Sequence, residues 1–379
     1  MLCQAIEAIQ AQTRPPERIL VIDDGSTDGT GHIVRQRFGN TVELFRRENG
    51  GRSAAINTGI EQVNEDYIWV FDDDDIALPN ALARHLAAFS ANPTADFTYS
   101  THRNFTEEEN GRRTFHPAVK MDQVPADCLF HRLLAGWMFS TQSIVIRTAV
   151  QKALPYRPEF RRSQDYEFVL RLTRQHNGVY LGPEPSFLLR AHNGVRGANE
   201  EAHAAEEVFR VWRQYEKRII GEQLVQLPLN AYLPGRNQTA ETMLADKRLQ
   251  RRALLYRAAV ALRVNLVDSV VNDLQRAGEL QPTPLSALEL REFKKAAFSK
   301  DGMLELAEQP AELLRIRNAM QKHDLRGLNT VMAIAMLRTA QYQFIDGEPH
   351  ASRKALRSAL QMFDWSDLMA CASRLAFSR

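Results

Sequence analysis

Two aspartate clusters, each directly after a short apolar run, are the residues of this sequence best suited to chemistry. Asp23 and Asp24 follow the apolar run 19–22, and four consecutive aspartates, Asp72–Asp75, follow the run 68–71. Carboxylates held this close repel one another and destabilise a fold unless a cation neutralises them. Hard oxygen ligands favour Mg²⁺ or Mn²⁺. The second cluster therefore predicts a divalent-cation site, and the plainer interpretation is a solvated acidic turn.

Short apolar runs that alternate with helical patterns predict an α/β fold for the first half of the chain. The runs 19–22 and 67–71 suit buried parallel strands, and 42–45 suits another strand. In open α/β sheets, ligands bind beyond the carboxyl ends of the strands, which is where both aspartate clusters stand.

Beyond residue 199 the strand patterns disappear and helical spacing of apolar residues continues. We therefore expect an α/β domain over 1–198 and a helical domain over 199–379. Helix pairs joined by turns such as 346–349 are similar to tetratricopeptide-like hairpins, although no repeat of fixed period is present.

Composition excludes several classes of protein. Hydrophobic residues make up 44% and charged residues 25%, a globular balance, and the net charge of +2 is too even for a nucleic-acid-binding face. The three cysteines form no closely spaced pair, which argues against a zinc site or a disulfide framework. No apolar run approaches the ~20 residues of a transmembrane helix, and no signal peptide is visible. These features predict a cytoplasmic protein, with peripheral contact at the inner membrane surface left open.

Three ordered motifs resemble those of family 2 glycosyltransferases of the GT-A fold. They are Asp23–Thr30, Asn49–Ile60 and Phe71–Pro79, and the similarity runs from residue 2 to about residue 195. The resemblance implies inverting, metal-dependent transfer of a sugar from a nucleoside diphosphate sugar, in the first instance a UDP-sugar. It also implies a glycan or lipid-linked acceptor with a free hydroxyl, and a role in the synthesis of cell-surface polysaccharide or glycoconjugate.

The same resemblance assigns the nucleotide and the metal to aspartates. Asp24 corresponds to the residue that contacts the nucleotide base, with Asp23 in support. Asp72 and Asp74 correspond to the metal-binding Asp-x-Asp, in which Asp74 coordinates the metal and Asp72 contacts the ribose or the metal. Asp73 stands where the family often has a small residue, so the register is ambiguous by one and Asp73 is a further donor-binding candidate.

Three more residues complete the predicted site. Arg52 would bring its positive charge to the diphosphate of the donor. It would replace the arginine that the family often has at the position of Ile56. Asp165 matches the catalytic base that takes the proton of the acceptor hydroxyl; otherwise it is a helix N-terminal charge. His192, in the closing motif, would approach the metal, whereas a lone histidine is more often structural.

Two other classes of protein remain as alternatives. The first is a truncated or catalytically inactive nucleotide-binding or scaffold protein that acts through its helical domain. The second is an aspartate-based phosphatase or receiver domain, which would require a separate lysine and hydroxyl constellation and does not explain the segment around Asp165.

The resemblance further implies a first strand upstream of the helix that starts at Leu2. Met1 stands where the turn after that strand should end, so we expect an in-frame coding segment upstream, or else a degenerate copy. Without the strand, its neighbours would expose unpaired backbone groups, at a cost of about 1–3 kcal/mol each.

Overall fold

The chain divides into two compact units. The computed structural model describes residues 1–136, 139–191, 208–235, 239–280 and 284–363. The first unit comprises Met1–Leu133 and Trp137–Tyr215, and the second comprises Leu134–Gly136 and Glu216–Arg379. The domain boundary predicted at residues 198 and 199 lies outside the described residues.

The first unit is built on β-strands that form two sheets in the described ranges. In chain order the strands are β1 (Leu20–Asp23), β2 (Glu43–Arg46), β3 (Tyr67–Trp69), β4 (Ile76–Ala77), β5 (Phe97–Glu107), β6 (Arg113–Ala118), β7 (Ile144–Arg147) and β8 (Gly178–Arg190). One sheet pairs β1 with β2, and the other has the order β3-β7-β5-β8-β4, with β6 on β5.

The predicted α/β class is confirmed, and its sheets are mixed in direction. The pairs β1–β2 and β5–β8 are parallel, whereas β3–β7, β5–β7, β4–β8 and β5–β6 are antiparallel. The mostly parallel pairing that we expected therefore holds for two pairs only. The short connection from β5 to β6 allows only an antiparallel return, because parallel neighbours need a long crossover.

Helices flank these strands. They are α1 (Leu2–Gln10), α2 (Thr30–Phe38), α3 (Arg52–Glu61), α4 (Ala81–Ala91), α5 (Leu129–Leu134), α6 (Thr148–Ala153) and α7 (Gln164–Gln175). Helix α8 (Val208–Ile219) follows and contains the boundary between the two units. Ile6 of α1 packs with Val34 and Phe38 of α2 in one core cluster. Phe89 of α4 packs with Val145 of β7 in another. Burial of these apolar faces fixes the helices against the strands whose ends carry the aspartates.

The strand before the first aspartate pair is less buried than its sequence predicts. Leu20, Val21 and Ile22 are partly exposed. In the described residues β1 pairs only with β2, and β3 pairs only with β7. A strand with a single neighbour is open along its other edge, so it lacks the full cover of the interior strand that consecutive apolar residues predict.

The second unit is helical in its described residues. Its main helices are α9 (Ala240–Ala245), α10 (Lys247–Arg263), α11 (Val267–Leu280), α12 (Ala287–Ala297), α13 (Lys300–Ala307), α14 (Pro310–Lys322), α15 (Arg326–Ile345) and α16 (Pro349–Met362). Apolar residues such as Leu274 of α11 and Met336 of α15 are buried, whereas Leu356 and Leu360 of α16 are exposed. None of the helices in the described ranges combines the length and apolarity that crossing a bilayer requires.

Candidate active site

Asp23 and Asp24 end β1, and arginines of β2 and its extension lie beside them. Asp23 is almost fully buried and accepts a hydrogen bond from the backbone N–H of Ser26 at 2.7 Å. The parallel register pairs Asp23 with Arg46, whose Nε is 3.7 Å from Asp23 Oδ2. The same register places Asp24 next to Arg47, whose Nε is 3.1 Å from Asp24 Oδ1. Burial alone would raise the pKa of Asp23, but the hydrogen bond from Ser26 and the charge of Arg46 lower it below its ordinary value.

Asp24 also holds the loop that starts α3. Its two carboxylate oxygens accept hydrogen bonds from the backbone N–H of Gly50, at 3.0 Å, and of Gly51, at 2.7 Å. Gly51 has a φ of 84°, a conformation that favours glycine, and α3 begins at the next residue, Arg52. Asp24 therefore positions Arg52 through the backbone. A contact between Asp24 and a nucleotide base would use the lone pairs that these bonds leave.

The second aspartate cluster gathers three carboxylates into one group. Asp72, Asp74 and Asp75 each offer an oxygen, and these oxygens lie within 4.8 Å of one another. Asp73 is exposed and is not part of the group. Three carboxylates at this spacing fit the oxygen ligands that Mg²⁺ and Mn²⁺ prefer.

Gln142 lies opposite Asp72 because of the register between β3 and β7. Trp69 pairs with Val145, and the same antiparallel register carried three residues further brings Gln142 to Asp72. Gln142 Nε2 donates to Asp72 Oδ2 and, at 3.0 Å, to Asp75 Oδ2. Gln142 Oε1 is buried and has no hydrogen-bond partner in the described part of the chain. The site thus contains one buried neutral oxygen besides its carboxylates, which supports the fit to a cation.

Arg190 anchors the other end of the aspartate loop. It ends β8, which pairs with β4 directly after the cluster, and it is only 6% exposed. Its backbone N–H donates to Asp75 Oδ1 at 2.9 Å, and its Nε donates to the backbone oxygen of Asp74 at 2.8 Å. The same guanidinium forms an ion pair with Glu107 and a hydrogen bond with Gln4 Oε1 at 2.8 Å. One buried arginine therefore fixes the backbone that carries two of the three carboxylates.

Burial and mutual repulsion disfavour the ionised forms of Asp72 and Asp75 in the aspartate cluster. Burial, together with the charges of Asp74 and Asp72, raises the pKa of Asp75 to about 7. Burial also raises the pKa of Asp72, against the opposing charge of Arg52. A bound cation would favour the ionised form of both carboxylates.

Arg52 of α3 contacts the aspartate cluster, and the charge of Asp165 of α7 acts on the same groups. Arg52 is the first residue of α3, and its guanidinium lies 2.5 Å from Asp72 Oδ1. Asp165 lies in the first turn of α7, and its charge acts on both Arg52 and Asp72. Although burial lowers the pKa of Arg52, the charges of Asp72 and Asp165 raise it above its ordinary value.

Tyr156 connects the two helices that carry Arg52 and Asp165. Asn57 of α3 bonds the backbone of Tyr156 twice, at 2.8 Å to its oxygen and at 2.9 Å from its N–H. The ring of Tyr156 stacks on Phe168 of α7, with 4.3 Å between centroids. This buried link holds Asp165 near the metal-binding candidates, so the two helices approach the site as a pair.

The remaining candidates fall outside this cluster. His192 lies outside the described residues, so its predicted approach to a metal is not addressed. Glu167, the nearest other acid on α7, is 1% exposed and binds Arg171 at 2.7 Å and 2.8 Å. Both oxygens of Glu167 are therefore occupied by the guanidinium of Arg171.

The structure brings forward three residues that sequence reasoning missed. Arg190 could have been found, because it stands two residues before His192 in the closing motif. Gln142 and Tyr156 give no comparable signal, since their places depend on strand register and on ring packing.

Comparison with known proteins matches this site to a family. Residues 1–147 match the family model for glycosyl transferase family 2. The match covers less than half of the chain, and it makes residues 1–147 similar to the family 2 glycosyltransferases. The matched residues include both aspartate clusters, Arg52 and Gln142, whereas Asp165 and Arg190 lie beyond them.

Individual relatives and one solved structure are similar to parts of the chain. A glycosyltransferase of Rickettsia typhi is 23% identical over 229 residues, which cover 59% of this chain and 70% of that protein. The glycosyltransferase GlyG of Streptococcus pneumoniae is 28% identical over 153 residues, which cover 39% of this chain and 50% of GlyG. The crystal structure of Staphylococcus aureus TarS superposes with a TM-score of 0.48 at 16% identity, over 84% of this chain and 52% of TarS. The matched part of this chain therefore resembles glycosyltransferases in sequence.

Proposed function

We propose that this protein is a glycosyltransferase that moves a sugar from a nucleoside diphosphate sugar to an acceptor hydroxyl in a single inverting step. The observation that carries the proposal is the convergence of Asp72, Arg52 and Asp165 at one site. This arrangement combines a carboxylate for a cation, a positive charge for a diphosphate and a second carboxylate for a proton.

The donor is held by the residues at the ends of β1 and β3. Asp24, supported by Asp23, contacts the base, and Arg52 faces the departing diphosphate. Asp72 and Asp74 hold a divalent cation, Mn²⁺ or Mg²⁺, with Asp73 as the alternative if the register is shifted by one. When bound, the cation stabilises negative charge on the leaving phosphates as a Lewis acid. For Asp72, this requires sharing its carboxylate between the cation and Arg52.

Asp165 accepts the proton of the acceptor hydroxyl. A double displacement would require a second carboxylate as nucleophile. The ion pairs of Glu167 with Arg171 and Arg157 argue against that carboxylate for the role. A single base near the cation favours one displacement with inversion. The resemblance further supports a glycan or lipid-linked acceptor, and action at the inner membrane surface in the synthesis of cell-surface polysaccharide or glycoconjugate.

A donor panel tests the proposal directly. Purified protein is incubated with UDP-, GDP- and other nucleoside diphosphate sugars, with Mn²⁺, with Mg²⁺ or with a chelator, and nucleotide release is measured. We expect one donor to be hydrolysed slowly, and only when a divalent cation is present. A UDP-sugar is the first candidate. With an acceptor identified, Asp165→Asn should reduce transfer by about 10²–10⁴-fold and preserve nucleotide affinity. Binding of a nucleoside diphosphate without turnover of any donor would instead favour the inactive scaffold.

A further inference from the structure

A basic cleft with an apolar floor lies within the second unit. Its volume is about 470 Å³, and helices α12 and α15 supply most of its walls. The floor is formed by Met303, Met332 and Ala335, which are almost fully buried. This volume falls within the roughly 300–1,000 Å³ of small-molecule sites, and it is too small for a folded partner.

Four exposed cations line this basic cleft: Arg291, Lys294, Lys295 and Arg338. The side chains that line it include no acid in the described residues. Arg291, Lys294 and Arg338 form no hydrogen bond or ion pair with any described residue. Concentrated positive charge without internal partners favours an anionic ligand.

The acids on α12 and at the end of α15 do not pair with Arg291, Lys294 or Arg338. The two glutamates of α12, Glu289 and Glu292, are committed to Arg251 and Arg252. Helix α15 contains no acidic residue over its full length. At its C-terminal end, Asp346 pairs with Lys300.

The face of α15 that enters the basic cleft continues into exposed apolar surface. Arg338, Tyr342 and Ile345 are spaced at four and three residues, so they lie on one side of the helix. Tyr342 is 49% exposed and Ile345 is 69% exposed. Tyrosine and large aliphatic side chains beside basic residues are typical of surfaces that lie at a membrane interface.

We infer that the basic cleft binds the phosphate head group of an anionic membrane lipid. The cations contact the phosphate, the apolar floor takes the first part of the hydrocarbon, and Tyr342 and Ile345 enter the interface. Soluble phosphate would use the cations but would leave the apolar floor and the exposed face of α15 without a partner. The inference does not depend on the proposed sugar transfer, because its ligand and its residues are separate from the aspartate site.

Sedimentation with vesicles tests this inference. The full chain is mixed with vesicles of phosphatidylcholine alone, or of phosphatidylcholine with phosphatidic acid, at physiological ionic strength. We expect binding only to the vesicles that contain phosphatidic acid. The double variant Lys294→Gln/Arg338→Gln should bind these vesicles roughly thirtyfold more weakly. Tyr342→Ser/Ile345→Ser should also weaken binding, and it should make the remaining binding more sensitive to salt.

A matched control removes the same charge elsewhere in the second unit. Arg276 and Arg357 are exposed on α11 and α16 and do not line the basic cleft. Arg276→Gln/Arg357→Gln should change affinity by less than about threefold, because screened distant charges contribute little. Circular dichroism melting confirms that each variant is folded.

Three outcomes would overturn the assignment. Equal losses in the cleft variant and the control would mean that net charge alone attracts the membrane. Failure to bind either kind of vesicle would show that the basic cleft does not bind an anionic lipid. A thermal shift with inorganic phosphate that the cleft variant abolishes, without vesicle binding, would make this a site for a soluble anion.

Discussion

The two aspartate clusters contain the same residue type in similar places, yet their electrostatics differ. At the end of β1, Asp23 and Asp24 are compensated by backbone N–H groups and by the arginines of the neighbouring strand. After β3, Arg52 pairs with Asp72, the Gln142 amide donates to Asp72 and Asp75, and the backbone N–H of Arg190 donates to Asp75. The pKa of Asp23 is lowered, against the effect of its burial, whereas burial raises that of Asp75 to about 7.

This difference separates a cluster that organises structure from one that is suited to a cation. A compensated carboxylate gains little from a metal ion, because its charge is already stabilised. A buried and crowded cluster gains much, because the metal ion supplies the missing positive charge. The following predictions test this contrast, from the largest expected effect to the smallest.

Removing a carboxylate from the crowded cluster should have the largest effect. Asp74→Ala is expected to abolish the divalent dependence of nucleotide binding. The protein should remain folded, because the side chain of Asp74 is only partly buried and is not part of the core. Calorimetric titration with Mn²⁺ and UDP measures this effect. Asp73→Ala is the neighbouring control and should behave like the parent. If Asp73→Ala lost the divalent dependence and Asp74→Ala kept it, the metal-binding pair would be shifted by one residue.

Arg190 should control how well the crowded cluster binds its cation. Arg190→Met keeps the aliphatic stem and removes the bond to the backbone of Asp74. We expect affinity for Mn²⁺ to fall by about 10–100-fold, as is usual when a supporting residue of a metal site is lost. Arg113→Met is the matched control, because Arg113 also pairs with Glu107 and also lies over Phe105. Equal losses in both variants would show that Glu107, and not the aspartate loop, determines the effect.

The compensated cluster should respond through stability and not through metal binding. Asp24→Asn weakens the hydrogen bonds to Gly50 and Gly51, so we expect the free energy of unfolding to fall by about 1–2 kcal/mol. Affinity for Mn²⁺ without nucleotide should stay unchanged. Denaturant unfolding, with the exposed Glu48→Gln as control, measures the change. A large loss of Mn²⁺ affinity in Asp24→Asn would contradict the contrast between the clusters.

The last prediction concerns how the melting temperature depends on pH. The folded protein holds the Asp75 proton up to a pKa of about 7, whereas the unfolded chain releases it near 3.8. Ionisation of Asp75 therefore destabilises the metal-free protein progressively as the pH rises from about 4 to about 7. Asp75→Asn removes this titration, so its melting temperature should gain on that of the parent across this range. A difference in melting temperature that is constant from pH 4 to pH 8, or that added Mn²⁺ leaves unchanged, would contradict this prediction.

Much of the fold could be predicted from local pattern. The turn at 346–349 separates α15 from α16 as expected, and the helical spacing of apolar residues beyond residue 199 corresponds to helices such as α10 and α11. These features depend on residues close in sequence, where apolar spacing and proline act directly. The direction of the strands was less accessible, because pairing between distant segments has no period within a single strand.

By itself, the sequence determined which residue types stand at the ends of the strands, and hence the acidic chemistry of Asp72–Asp75. Only the tertiary structure decided which residues serve these carboxylates. Gln142 reaches Asp72 through the register of β3 with β7, and Arg190 reaches Asp74 through the pairing of β4 with β8. Each of these contacts joins segments about 70 or more residues apart. Such contacts form only when burial of the shared core brings the segments together, so no local pattern encodes them.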